Sequence, residues 1–225
     1  MAQKAADRQE KIRMLAAQIL QLAHDGLLIN LRFLDTALAR LAVECRENTG
    51  AHLFDGERLY YDPVCLLRQY EKEPGYAVRL YLHTLLHCIF YHGFQTDKLR
   101  PEYWDLATDI AVENTILEID LHTARMSSDD TLRSRLEMLR KQAGSLTAEK
   151  IYRYFRIEEP SRKAVAEWYK LCHYDEHIYW DRKEELELSQ AEWRKISERI
   201  KADLKSFSKD KNNAESMTQN LGEAT

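Results

Sequence analysis

The chain has few of the residues that build turns. Seven Gly and four Pro in 225 residues argue against a turn-rich all-β protein and point to helices. The four cysteines, Cys45, Cys65, Cys88 and Cys172, form no Cys-x-x-Cys pair. That fits reduced thiols in a cytoplasmic protein better than a disulfide scaffold. Neither sign of charge dominates: 33 Lys and Arg stand against 37 Asp and Glu, for a net charge of −4. There is thus no electrostatic case for nucleic acid. No stretch is long and apolar enough to span a bilayer, since even Tyr76–Phe94 carries Arg79 and three His. Met1–Leu20 lacks the continuous apolar core of a signal peptide. Also missing are a Gly-rich phosphate loop, a Gly-x-Ser-x-Gly elbow and the repeated Glu-x-x-His of di-iron bundles.

What is present suffices for a core: 44% hydrophobic residues, with four Trp, twelve Tyr and six Phe. The length suits one domain with an extension. The expected division is a domain over 1–188 and a charged helical extension over 189–225. The end, Asn220-Leu221-Gly222-Glu223-Ala224-Thr225, has no natural stop, so the extension is expected to lead to a further domain.

The pattern predicts a mainly α fold with one small hairpin. Ala6–Ala23 and Leu27–Glu44 read as amphipathic helices broken near Gly26. His52-Leu53-Phe54, Asp55-Gly56 and Leu59-Tyr60-Tyr61 read as strand, turn and strand. Pro63 opens a short helix to Tyr70. Pro74-Gly75 precedes an apolar helix over about Tyr76–His92, ended by Gly93. Pro101 begins the next helix, to about Leu121. Further helices are expected over Ser128–Gln142, after Thr147, over Glu158–Leu171, and from Ser189 to about Asn212. Cys172–Asp181 reads as a loop.

Within the apolar helix stands His83-Thr84-Leu85-Leu86-His87. Two histidines four apart share one helical face, one turn from each other, so two imidazoles can reach one ion. The zinc-protease pattern His-Glu-x-x-His has its general base where Thr84 stands here. A third ligand follows from helix geometry. If the helix from Pro101 returns antiparallel, Asp109 lies level with His87, and Glu113 lies one turn on. Glu113 is placed to ligate or brace a histidine, or to replace the missing base if its carboxylate faces the ion. His92 is the other candidate third ligand, provided the helix bends before Gly93. His173 and His177 form a second His-x-x-x-His pair that covers the same site or binds a separate ion. The plain readings are a hydrogen-bonded core pair for His83 and His87, a solvated acidic stripe for Asp109, and surface positions for His173 and His177. With imidazole and carboxylate donors, zinc is the preferred metal, though another divalent ion such as iron or nickel also suits.

Several of these stretches together resemble a known family. It is the metallopeptidase domain, zincin-like in fold, found N-terminal to a von Willebrand factor A-like domain in bacterial MoxR-associated proteins. The resemblance runs through Leu80–His92 and Tyr103–Glu113. It has weaker echoes in the Asp55-Gly56 hairpin ending Tyr61-Asp62-Pro63, in Leu146–Tyr152, and in Asp175-Glu176-His177-Ile178-Tyr179-Trp180. It covers about Leu27 to Trp193 in the family's order. It implies a zincin-like helical fold, metal ligation by His83 and His87 with Asp109 or His92 beside them, and an AAA+ ATPase partner of the MoxR type. The family pattern usually has Glu at the position of Thr84. The expectation is therefore a metal-binding, metallopeptidase-like domain that is weak or inactive as a peptidase. The alternative is a non-catalytic module with a structural metal that docks a peptide or protein for the ATPase system.

Overall fold

The computed structural model describes residues 2–94, 100–178 and 187–207. The first helix, α1, runs Ala2–Asn30 without a break. Gly26 does not interrupt it. A glycine inside a helix costs only about 1 kcal/mol, and Ala16, Ala23 and Leu27 continue one buried stripe past it. After a 3-10 turn, Arg32–Leu34, comes the short α2, Asp35–Arg40.

The chain then departs from the helix expected to reach Glu44. Ala42–Cys45 is a strand, β1. The expected hairpin is formed by β2, Leu53–Phe54, and β3, Arg58–Tyr61, paired antiparallel with Phe54 opposite Leu59. Its turn is held by Asp55, whose Oδ1 accepts the N–H groups of Glu57 (3.0 Å) and Arg58 (2.8 Å). Gly56 takes φ +94°, which a glycine adopts without a Cβ clash.

Two outer strands extend the hairpin. β1 pairs parallel with β3, and β4, Glu176–His177, pairs parallel with β2, giving the order β1-β3-β2-β4. The Glu176 N–H bonds the His52 carbonyl (2.8 Å) and the Ile178 N–H bonds that of Phe54 (2.7 Å). This segment was expected to be a loop. A two-residue strand has no periodicity of its own, and tertiary pairing makes it.

Asp62 caps α3, Pro63–Lys72, and Pro63 stands at its first turn. α4 spans Tyr76–Ile89. It ends three residues short of the expected His92, because Tyr91 turns into the left-handed region at φ +60°. His92 therefore lies in a separate 3-10 turn, His92–Phe94. α5 covers Pro101–Ile119, α6 Asp129–Ala143, α7 Ala148–Glu158 and α8 Arg162–Cys172. α7 and α8 part at Glu159, φ +43°.

α9, Glu187–Phe207, starts where the charged extension was expected. It lies against the end of α4: Trp193 is fully buried, and Ser197 Oγ donates to the Ile89 carbonyl at 2.7 Å. The expected end of that helix at Asn212, the polar tail, and Tyr179-Trp180 lie outside the described residues. Among the described residues no helix is long and apolar enough to cross a membrane.

Two apolar clusters make the core. One joins α1, the sheet, α4 and α9 through Leu27, Leu34, Leu59, Leu80 and Trp193. The other joins α5 to α8 through Trp104, Ile110, Leu132, Ile151 and Phe155. α5 serves both, with Val112 and Ile116 in the first and Ala107 and Ala111 in the second. It is buried from Leu106 to Leu117. Polar side chains on its α4-facing surface are thereby removed from water, and they need partners.

Candidate metal centre

α4 and α5 run antiparallel, since His83 meets Glu113 while His87 meets Asp109 one turn along each helix. The facing positions are fully buried: His83, His87, Asp109 and Glu113 each have 0% exposure. Asp109 therefore does not belong to a solvated acidic stripe. Glu102 at the start of α5 and Asp120 just past its end are exposed, but Asp109 and Glu113 turn into the seam between the two clusters.

The Nε2 atoms of His83 and His87 are 3.0 Å apart. Asp109 Oδ1 lies 3.4 Å from His83 Nε2, 3.3 Å from His87 Nε2 and 3.3 Å from His177 Nε2. Each of the four residues offers one donor atom, and all four atoms lie within 4.8 Å of one another. Four donors held tetrahedrally about 2.0–2.1 Å from one centre stand roughly 3.3–3.4 Å apart. The spacings around Asp109 match that edge. Asp109 Oδ1 also makes no hydrogen bond among the described residues, although it is fully buried. A buried carboxylate oxygen left in this way calls for a cation. The residues thus fit a divalent metal.

Each imidazole is braced at its other nitrogen. His83 Nδ1 is 2.8 Å from Glu113 Oε1. His87 Nδ1 is 3.1 Å from His92 Nδ1. His177 Nδ1 meets Asp105 Oδ1, whose other oxygen accepts from Tyr169 (3.3 Å). Such bracing fixes tautomer and ring orientation, so that Nε2 presents its lone pair. Asp109 is held in turn by His173 Nδ1, 2.9 Å from its Oδ2.

Glu113 is a bracing residue by position. It contacts the Nδ1 side of His83, and its Oε2 accepts from Arg79 Nε (2.8 Å) and Nη2 (2.6 Å). Its carboxylate therefore does not face the Nε2 cluster, as a substitute base would need to. Arg79 is 2% exposed, and it also meets Asp129 at 3.2 Å and the Ala124 carbonyl at 3.2 Å. The buried charges are thus paired and hydrogen-bonded, as burial requires. Thr84, also buried, directs its hydroxyl to the Leu80 carbonyl (3.1 Å) and to Asp175 Oδ2 (2.8 Å).

The protein's own field separates the two helix histidines. Burial depresses His83, but the carboxylates of Asp109 and Glu113 outweigh it and raise its pKa to about 9. His87 is lowered to about 3, by burial first and then by His177. Asp109 would be raised by burial, yet the surrounding imidazoles hold it well below the usual carboxylate range. The charges around the two rings, whose Nε2 atoms are 3.0 Å apart, thus shift them in opposite directions.

Of the residues singled out in the sequence, the fold brings His83, His87 and Asp109 together. It leaves His92 outside the four-atom group, behind His87. His177, expected at the surface or in a covering pair, joins the group, and β4 delivers it rather than a helix. His173 is separated from it and holds Asp109. One signal for His177 was readable. Asp175 and His177 are two apart, which puts both on one face of an extended segment.

Helix-borne histidines, a facing aspartate and a strand-borne histidine, all buried and braced, give this mainly α domain a buried group that could hold a metal ion. A family model described as "Putative metallopeptidase domain" matches residues 16–224, and the chain belongs to that family. Comparisons with curated proteins and with solved structures found no match.

Proposed function

We propose that this chain is a metal-holding, metallopeptidase-like domain with weak or no peptidase activity, its ion held by His83, His87, Asp109 and His177. The observation that carries the reading is the group of four buried donor atoms within 4.8 Å. Zinc is the preferred ion, because imidazole and carboxylate donors suit it. When bound, such an ion supplies Lewis acidity toward a carbonyl.

Two features support low activity. Four protein donors complete a tetrahedral zinc shell, which is the arrangement of structural rather than catalytic sites. The position of the usual base holds Thr84, whose hydroxyl is not basic at neutral pH, and Glu113 is occupied by Arg79 and His83. The same donor count favours a second reading: a docking module whose metal is structural, working with a MoxR-type AAA+ ATPase. That partner rests on the family resemblance.

The test is metal analysis of the purified chain. About one divalent ion per chain is expected, lost in His83→Ala and His87→Ala. Wild type that carries none and takes none up would refute the reading. Hydrolysis of unstructured peptides by the loaded protein should be at background. Strong cleavage that disappears in His83→Ala would overturn the low-activity part alone.

A further inference from the structure

Asp175 is fully buried, with a relative exposure of 1%, and lies two residues before His177. Its Oδ2 accepts from Thr84 at 2.8 Å. Its Oδ1 makes no hydrogen bond among the described residues. That oxygen sits 3.2 Å from His177 Nε2 and 3.8 Å from His83 Nε2. The first lies within the 3.0–3.4 Å seen between grouped donors, and the second is a few tenths of an ångström longer. A carboxylate oxygen so placed, next to the metal-facing nitrogens of two imidazoles, is aimed at the same centre.

We infer that Asp175 is a fifth donor to the metal ion and that Thr84 is the residue that positions it. The inference rests on the four-residue metal site proposed above. Charge supports it. Glu113 is neutralised by Arg79, while Asp109 and Asp175 are two further buried carboxylates at the cluster. His173 already faces Asp109 at 2.9 Å, whereas the open oxygen of Asp175 has the Nε2 atoms of His177 and His83 beside it, so an ion at those nitrogens would also offset the buried charge of Asp175. The fold supports it as well. β4 hydrogen-bonds to β2 on both sides of His177, through Glu176 and Ile178, so the pairing that brings in His177 fixes Asp175 beside it.

This gives the substitution at position 84 a structural meaning. On α4, residue 84 follows the first histidine and reaches toward the donors. A hydroxyl there is short enough to leave room for a carboxylate from another element, and it gives that carboxylate a hydrogen bond. A glutamate at 84 would bring a third carboxylate into a space that is fully buried. Thr84→Glu is thus expected to expel Asp175 or to cost metal affinity.

The experiment uses the full chain, stripped of metal and titrated with cobalt(II), whose visible bands report donor number and symmetry. Wild type should bind one cobalt per chain with the weak absorbance of a five-donor site. Asp175→Asn should bind more weakly and change the band positions and intensity. Thr84→Val should move the spectrum in the same direction by less, and Thr84→Ser should restore it. An Asp175→Asn protein with the wild-type cobalt spectrum would overturn the inference while leaving the four-residue site intact. Should Asp175→Asn fail to fold, the wild-type band decides: an intense four-donor spectrum overturns the inference. A wild type that takes up no cobalt refutes the underlying metal site itself.

Discussion

At the scale of single residues, the histidines divide by which ring nitrogen faces the cluster. His83, His87 and His177 turn Nε2 inward, while His92 and Glu113 hold the outer nitrogens of two of these rings. Removing an inward donor and removing a brace should therefore differ in degree. His177→Ala is expected to abolish stoichiometric zinc. His92→Ala and Glu113→Gln should keep one zinc per chain, with affinity reduced about 10–100-fold, the usual effect of losing an outer-shell partner. Competition with a chromophoric chelator measures both. Equal losses at His177 and His92 would remove the distinction and return His92 to the ligand set. His83, His87 and Asp109 were legible in the sequence because helical spacing and antiparallel return are local geometry. His177 and Asp175 were less so, because a strand that exists only by pairing with a distant hairpin delivers them.

At the scale of elements, the helices were legible and their ends much less so. The expected break at Gly26 failed because local propensity is weaker than a continuous buried face. The expected end of α4 near His92 failed because Tyr91, not the later Gly93, takes the left-handed turn. Two glycines now make opposite predictions. At Gly26 an added Cβ meets nothing within 4 Å, so Gly26→Ala should stabilise the protein by up to about 1 kcal/mol. At Gly75 a Cβ would fall 2.3 Å from the Arg125 carbonyl oxygen, a backbone atom. Gly75→Ala should cost roughly 1–3 kcal/mol. Urea unfolding midpoints for the two variants should shift in opposite directions. Two shifts of one sign would show that the close approach at Gly75 is not a constraint.

Asp62 links two elements. One oxygen caps α3 through Val64 N (2.9 Å) and Cys65 N (3.0 Å), and the other holds Thr49 N (3.0 Å) and Gly50 N (3.2 Å). Burial alone would raise its pKa, but these four backbone donors outweigh it and lower the pKa. A carboxylate depressed in the folded state contributes stability above its unfolded pKa and loses it as pH falls through the folded value. Asp62→Ala should cost about 0.5–2 kcal/mol at neutral pH. The cost should shrink as pH drops below the ordinary carboxylate range. A penalty that is constant across that range would mean that the charge on Asp62 is irrelevant to its cap.

At the scale of the whole molecule, the proposed metal centre lies where the two apolar clusters meet. α4 comes from the first, α5 belongs to both, and β4 follows α8 of the second. An ion held there ties the two halves together, and without it Asp109 and Asp175 remain as buried carboxylates facing one another's imidazoles. Binding to the folded state alone stabilises it by mass action, by about 2.7 kcal/mol at a free metal concentration of 100 Kd. For a chain of this size each kcal/mol moves the melting temperature roughly 2–4 °C. A strong chelator should therefore lower the melting temperature by about 5–10 °C, and zinc added in excess of the chelator should restore it. The His83→Ala protein should melt at the same temperature with and without chelator, because it has no ion to lose. If wild type melts at one temperature in chelator and in zinc alike, no metal joins the two halves, and the buried carboxylates must be balanced by protons on the histidines instead.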